Sequence, residues 1–116
     1  MHVSDARLVR IAEGITDMLT LLRVSLLSRF SLKFVIKNAA AASTDDPWYT
    51  AQLGPVSFTC TLPADTESFM LHVEVNGKTD QTRDFPIDTE NGKLSGEDYH
   101  SLFFLLAPSL PNGQTD

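Results

Sequence analysis

Residues 17–37, DMLTLLRVSLLSRFSLKFVIK, form an apolar run that basic residues interrupt. Up to about Phe30 the apolar residues recur every three or four positions, as in a helix, and beyond it they recur at every second position, as in a half-buried strand. The run therefore predicts that a helix ends and a strand begins near residues 28–31. It does not predict a membrane span, because a bilayer needs an unbroken apolar stretch of about 20 residues and Arg23 and Arg29 interrupt this one.

The sequence upstream extends this helix back to residue 4, where Ser4 is a suitable N-cap. On a helical wheel one apolar stripe faces a core. It consists of Leu8, Ile11, Ala12, Ile15, Met18, Leu19, Leu22, Leu26 and Phe30. Gly14 falls outside the stripe, where it costs about 1 kcal/mol of helix propensity relative to alanine. We therefore predict a long N-terminal helix over residues 4–29.

A second apolar surface lies on the same helix, away from the core stripe. It consists of Leu21, Val24 and Leu27, spaced by three, and we call it the ridge. A helix that is apolar nearly all round is buried on more than one side. Either the sheet of this protein curls around the ridge or a second chain covers it. A homodimer is the simplest source of that cover.

Alternating apolar and polar residues predict three or four further strands after the one that begins near Phe30. These strands are 48–53, 56–62, 69–75 and 78–85. Asn76-Gly77 is a strong hairpin signal, because both central residues of a type I′ turn need positive φ. The last of these strands is polar, as expected of an exposed edge.

The chain ends with a second amphipathic pattern. Ser95 is a suitable N-cap for a short helix that Pro108 stops. The whole order predicts an α+β fold: a long N-terminal helix, a four- or five-stranded antiparallel meander sheet and a short C-terminal helix. We assign residues 1–107 to a single α+β domain and residues 108–116 to a flexible C-terminal tail.

Composition is ordinary for one globular domain, with 116 residues, 42% hydrophobic and 21% charged. The net charge of −6 argues against direct binding to nucleic acid. The acidity belongs to residues 58–116, which hold three basic and ten acidic residues. It is either a solvated surface or a negative face for a basic partner protein, including DNA mimicry. In the second case the contacts include Asp80, Asp84, Asp88 and Glu90.

Cellular location is judged from the single cysteine and from the N-terminal half. Cys60 has no partner for an internal disulfide and alternates with apolar residues, which favours a buried thiol in a reducing compartment. The AAAAS segment at 39–43 resembles a signal-peptide cleavage site, but the apolar run before it is too long and too charged. We therefore expect a cytoplasmic protein.

Catalytic chemistry has one weak candidate. His72 and Glu74 project from the same face of a strand and are suited to a base with its orienting carboxylate, or to two metal ligands. Two ligands are too few for a metal, and no third histidine or cysteine has suitable spacing. Cys60 lies on the core face, where a nucleophile is inaccessible. We expect no catalytic residue, metal or cofactor.

The first hypothesis is thus a small acidic, non-enzymatic protein-binding module that masks or holds another protein. An inhibitor, an immunity protein or an adaptor from a bacterium or phage fits this description. Its binding residues are the ridge and the four acidic residues named above. The alternatives are a small enzyme that uses the sheet face at His72 and Glu74, and a structural subunit of a larger assembly.

Overall fold

The computed structural model describes residues 5–37, 47–61, 69–75 and 78–110. They form helix α1 (Asp5–Ser25), strands β1 (Leu32–Ile36), β2 (Pro47–Leu53), β3 (Val56–Thr61), β4 (Phe69–Val75) and β5 (Lys78–Ile87), and helix α2 (Gly96–Leu106). The strands lie side by side in chain order and each neighbouring pair is antiparallel. The predicted α+β fold is confirmed, with five strands in the meander.

One hydrophobic core lies between the inner face of the sheet and the two helices. The strands β3 and β4 alternate buried and partly exposed residues along their length, as the period of two predicts. The α1 stripe is buried from Leu8 to Leu26, and α2 contributes Leu102 and Leu106. Both helices thus cover the inner face.

A bulge in β2 turns two consecutive aromatic residues into the core. The register shifts between Pro47 and Tyr49, so that both Trp48 and Tyr49 are fully buried. The Trp48 ring packs edge-on against Phe69 at a centroid distance of 6.4 Å. The Tyr49 hydroxyl is 2.8 Å from the Thr16 hydroxyl of α1. This hydrogen bond fixes the helix to the second strand.

The first helix ends at Ser25, four residues before the predicted end. Ser28 donates its N–H to the Arg23 carbonyl, and Leu27 donates its N–H to the Val24 carbonyl. Leu27 has a φ of 53°. These are the two hydrogen bonds and the left-handed residue of a Schellman C-cap, a position that glycine usually occupies. The prediction was wrong because no glycine marks this end.

Strand β5 and the C-terminal end of the described chain differ from their predicted bounds. β5 runs two residues beyond the predicted Phe85, and Phe85 and Ile87 are buried rather than polar edge positions. Leu110, in the predicted tail, is buried and donates its N–H to the Leu106 carbonyl. The division into a domain and a tail stays a prediction. The Ser4 cap, the 76–77 turn, the 39–43 segment and residues 111–116 lie outside the described residues.

Candidate protein-binding surfaces

The ridge is exposed on the folded chain. Leu21 and Val24 are each 57% exposed and Leu27 is 53% exposed. The sheet does not curl around them, so in the described part of the chain the first of the two predicted alternatives is wrong. The ridge does not lie on one regular helix as predicted, because Leu27 belongs to the C-cap after Ser25.

Leu27 combines an unfavourable backbone conformation with an exposed apolar side chain. The left-handed region costs an L-residue about 1–2 kcal/mol. Its side chain does not recover that cost by burial within the described chain, since more than half of the residue is exposed. Backbone strain of this kind is found disproportionately at functional positions. At the end of α1 the two hydrogen bonds of the C-cap hold Leu27 in this conformation.

The ridge borders an open groove at the junction of the two helices. Leu21 lines it together with Met18 of α1, Leu94 of the preceding loop and Tyr99 of α2, and its volume is about 350 Å³. Leu94 and Tyr99 are only partly buried. The apolar surface therefore extends from the ridge toward the start of α2.

Strand β1 adds an apolar surface that sequence reasoning missed. We predicted a half-buried strand, but Phe34, Val35 and Ile36 are 46%, 59% and 42% exposed. The alternation places Phe34 and Ile36 on the inner face, where they pair with Ala51 and Tyr49 of β2. They remain exposed because β1 is the outermost strand, at the margin of what the helices cover.

The α1 side chains nearest to β1 are polar and leave a gap. Phe34 and Ile36 line an open groove of about 270 Å³ with Glu13, Thr16 and Asp17 of the helix. The Phe34 ring also stacks on Tyr49 at a centroid distance of 6.3 Å. The inner face of β1 is thus an apolar shelf that α1 does not close. Val35 is exposed on the opposite face of β1, where the alternation predicts polar residues. This apolar residue out of pattern is the sequence signal that β1 is apolar on both faces.

The four predicted acidic contacts do not form one patch. Asp84 is 2.5 Å from Nδ1 of His72 on the outer sheet face. Glu90 lies next to α1, with its carboxylate 3.8 Å from the Arg7 guanidinium. Asp88 accepts the N–H of Glu90 at 2.7 Å, and the side chain of Asp80 lies outside the described residues. The described carboxylates thus have internal partners on two different sides of the fold.

The outer sheet face brings a second carboxylate to the predicted pair of His72 and Glu74. Nε2 of His72 is 3.0 Å from Glu74 and Nδ1 contacts Asp84, so both ring nitrogens meet carboxylates. Burial lowers the pKa of His72, but the hydrogen bonds and negative charges of Asp84 and Glu74 outweigh it, and the net shift is upward. A general base needs a ring nitrogen that is free to take a proton from a substrate, and both nitrogens of His72 are engaged here. The arrangement therefore favours a structural ion cluster over a general base.

Cys60 lies in the core, as predicted. It is 1% exposed, and burial raises its pKa to about 12 despite the opposing effect of the neighbouring Trp48 indole. A nucleophilic cysteine needs an accessible thiolate. Cys60 lacks both the access and the charge.

The described residues offer neither a cluster of metal ligands nor a membrane-spanning helix. They contain no group of three or more histidine, cysteine or acidic residues arranged to hold a metal ion. None of the helices in the described ranges has the length and apolar character required to cross a bilayer.

Comparisons with family models, with curated proteins and with solved structures find no match to this chain.

Proposed function

We propose that this chain is a small acidic protein-binding module, without enzymatic activity, that masks or holds a partner protein. An inhibitor, an immunity protein or an adaptor of a bacterium or phage, acting in the cytoplasm, fits this role. The observation that supports it is the ridge. Leu21, Val24 and Leu27 are all more than half exposed, and Leu27 keeps a strained backbone with no compensating burial.

The size of the ridge indicates what else must take part. Full burial of one valine or leucine side chain is worth about 1.5–3 kcal/mol, so covering the exposed half of three such residues is worth roughly 2–4 kcal/mol. A complex with micromolar affinity needs about 8 kcal/mol. The contact must therefore extend beyond the ridge, and the adjoining groove of Met18, Leu94 and Tyr99 is its nearest apolar continuation.

Two occupants fit the ridge: a second copy of the chain and a different protein. A second copy is the simpler, because a two-fold axis places the same apolar residues of both chains against each other. Sedimentation velocity of the purified chain distinguishes them. If the wild type is a dimer and Val24→Glu is a monomer, the ridge binds a second copy. If the wild type is itself a monomer, the ridge is assigned to a different protein.

Affinity capture from the native host tests the module hypothesis itself, provided that matched variants are used. Val24→Glu places a charge on the ridge. Val9→Glu places the same charge on an α1 residue that is 48% exposed and lies 15 positions away, about 22 Å along the helix. We expect one stoichiometric protein that the wild type and Val9→Glu retain and Val24→Glu loses. Equal capture by all three variants contradicts a role for the ridge.

A basic surface on the partner, opposite the acidic residues of this chain, is part of the proposal. Asp84 and Glu90 already have cationic or imidazole neighbours, so their free charge is reduced. Asp88 is exposed at the end of β5. Charge reversal at Asp88 should weaken a complex with a basic partner and leave the ridge intact.

The enzymatic alternative places chemistry at His72 and Glu74, and the structural alternative places the chain in a larger assembly. His72→Ala separates the first from a binding role, because a binding module retains its partner after this change whereas an enzyme loses activity. Rings or filaments larger than a dimer favour the structural alternative.

A further inference from the structure

We propose that the free edge of β1 accepts an extended, acidic segment of a partner protein as a sixth strand of the sheet. This inference rests on the proposed function, and it adds a second contact surface together with the chemistry of the segment that binds there. It uses β1 rather than the ridge, so the two surfaces can be tested separately.

The backbone of β1 has unused hydrogen-bonding groups along its outer edge. β1 is the first strand in the sheet order, and β2 is its only strand partner among the described residues. Lys37 donates its N–H to the Trp48 carbonyl of β2 at 2.8 Å. Since inward and outward groups alternate along an antiparallel strand, the N–H and C=O groups of Phe34 and Ile36 point away from β2. They form a template for an added strand.

The side chains of β1 offer apolar contacts on both faces of such a strand. Phe34 and Ile36 lie on the inner face, above the shelf that α1 leaves open. Val35 lies on the outer face and is the most exposed residue of the three. In strand addition the main chain supplies affinity, and alternate side chains supply specificity. β1 has both features within five residues.

The charge around β1 identifies the partner segment as acidic. No aspartate or glutamate occurs between Asp17 and Asp45, in a chain whose net charge is −6. This interval contains four basic residues, Arg23, Arg29, Lys33 and Lys37. Arg23 donates its Nε–H to the Phe30 carbonyl, which places its charge beside the start of β1. The outer face of the β1 edge is therefore basic, whereas its inner face borders Glu13 and Asp17 of α1. The carboxylates of an added strand belong on the outer face and its apolar residues on the inner face.

Two of these basic residues, Lys33 and Lys37, form no ion pair within the described part of the chain. Both alternate with Phe34 and Ile36 and so lie on the outer face with Val35. Carboxylates that alternate with apolar residues on an added strand would meet these lysines, and opposite charges across a strand pair are stabilising.

A second copy of this chain fits the same edge less well. Antiparallel pairing of two β1 strands about Val35 places Lys33 of one copy opposite Lys37 of the other, and like charges directly opposite each other are destabilising. β1 contains no carboxylate to offset them. Lysine on an edge strand is also a common means of preventing self-association. The charges therefore oppose self-pairing while favouring an acidic segment.

The probe for this inference is a displayed library of random peptides about twelve residues long, selected against the full-length chain. We expect selected peptides with net negative charge, alternating apolar residues and no proline in the paired stretch. Binding to the isotope-labelled protein should shift the amide resonances of β1 and slow hydrogen exchange at Phe34 and Ile36. Selection of neutral or basic peptides, of peptides that leave β1 unperturbed, or of none would overturn the proposal.

Backbone pairing is tested with Ile36→Pro. Its N–H points outward, so proline removes a group offered to the partner and leaves the hydrogen bonds of β1 with β2 in place. We expect affinity for the selected peptide to fall at least about tenfold. This is the effect of losing one backbone hydrogen bond at the strong end of the usual range. Unchanged affinity contradicts strand addition. A circular dichroism spectrum identical to that of wild type confirms that the variant folds.

Charge recognition is tested with Lys33→Glu, and Lys93→Glu in the 88–95 loop is the matched control because it changes the net charge equally. Lys33→Glu should weaken binding of the acidic peptide by more than about tenfold, and the control should retain it. If both variants lose the peptide equally, binding depends on the net charge of the protein rather than on β1, and the assignment to β1 is overturned. Val24→Glu should bind the peptide as wild type does, so a failure of the ridge proposal leaves this result unchanged.

Two other occupants of β1 are outcomes of the same experiments. Self-association that Ile36→Pro abolishes assigns the edge to a second copy and overturns the acidic segment. Binding to vesicles that contain phosphatidylserine, with no acidic peptide selected, assigns the basic surface to a lipid headgroup and overturns it as well.

Discussion

The carbonyl oxygen of Asn91 lies 1.5 Å from the position that a Cβ atom on Gly14 would occupy. The 88–95 loop therefore crosses α1 at Gly14, which is the one residue of that helix without a side chain. Gly92 makes the reciprocal contact, since a Cβ there would lie 2.1 Å from the Ile11 carbonyl oxygen, and its φ of 71° suits glycine. We predicted Gly14 to be a tolerated cost in the helix, and the structure shows that the fold requires it.

Gly14→Ala should destabilise the protein. Alanine gains about 1 kcal/mol of helix propensity, but the methyl group overlaps backbone atoms that move only if the loop leaves the helix. Overpacking of this kind costs about 1–3 kcal/mol, so we expect a net loss of up to about 2 kcal/mol in the free energy of unfolding. Denaturant unfolding measures it. The matched control is Gly96→Ala, because a Cβ there meets no atom within 4 Å. Equal stability of both variants would contradict the loop contact.

The ion cluster at His72 should make stability depend on pH. The net upward shift in the pKa of His72 means that its contribution is fully present below the unfolded pKa of about 6.5 and is lost as the pH rises through the folded value. We expect wild type to lose stability relative to His72→Gln as the pH rises from about 6.5 through the folded-state pKa of His72. The difference should stay below about 1 kcal/mol, because the His72 side chain is 39% exposed.

An NMR titration of the His72 ring provides the direct measurement. Asp84→Asn and Glu74→Gln should each lower the pKa, since each removes one of the two charges that raise it. A pKa at or below the value of an unfolded histidine would contradict the cluster.

Cys60 should be inert in the folded protein. Its thiol is 1% exposed and its pKa is raised to about 12, so the reactive thiolate is both scarce and shielded at pH 8. We expect a thiol reagent to modify native protein only at the rate of transient opening, and to modify denatured protein at once. Rapid, stoichiometric modification under native conditions would show an accessible Cys60 and revive the nucleophile hypothesis.

Leu27 allows stability and binding to be separated. Leu27→Gly relieves the left-handed strain, and it should raise the free energy of unfolding by about 1 kcal/mol. The same change removes a side chain of the ridge, so partner capture should weaken. The matched control is Val24→Ala, which removes a ridge side chain from ordinary helical backbone, so it should weaken capture without relieving any left-handed strain. A variant of Leu27 that loses both stability and binding would assign this residue to the fold rather than to a partner.

Period and turn chemistry account for most of the fold that could be predicted. The change of period near Phe30 separates α1 from β1, and the alternation in 56–61 and 69–75 matches β3 and β4. Ser95 caps α2 as predicted, accepting the Asp98 N–H at 3.2 Å. These features are local, because each depends on residues a few positions apart.

Features that depend on distant residues could not be predicted from the sequence. The contact of Gly14 with Asn91 joins positions 77 apart, and a helix wheel cannot show it. The exposure of Phe34 and Ile36 depends on where the helices lie over the sheet, whereas alternation reports only that one face differs from the other. The spread of the acidic residues over two sides has the same cause: their spacing along the chain does not specify which neighbours they meet.

The ridge was only partly predictable. Its spacing showed that Leu21 and Val24 lie away from the core, but the choice between internal and external cover required the tertiary fold. The structure leaves these side chains exposed within the described residues, and it adds the strain at Leu27.

The measurement that tests the central claim most directly is hydroxyl-radical footprinting of the ridge. Oxidation of Leu21, Val24 and Leu27 is compared between the dilute purified chain and the same chain in an extract of its native host, with Val9 as the internal reference. We expect oxidation of the ridge to fall severalfold in the extract while Val9 is unchanged. Equal oxidation of the ridge in both samples would contradict the account, because the ridge would then remain uncovered where its partner is present.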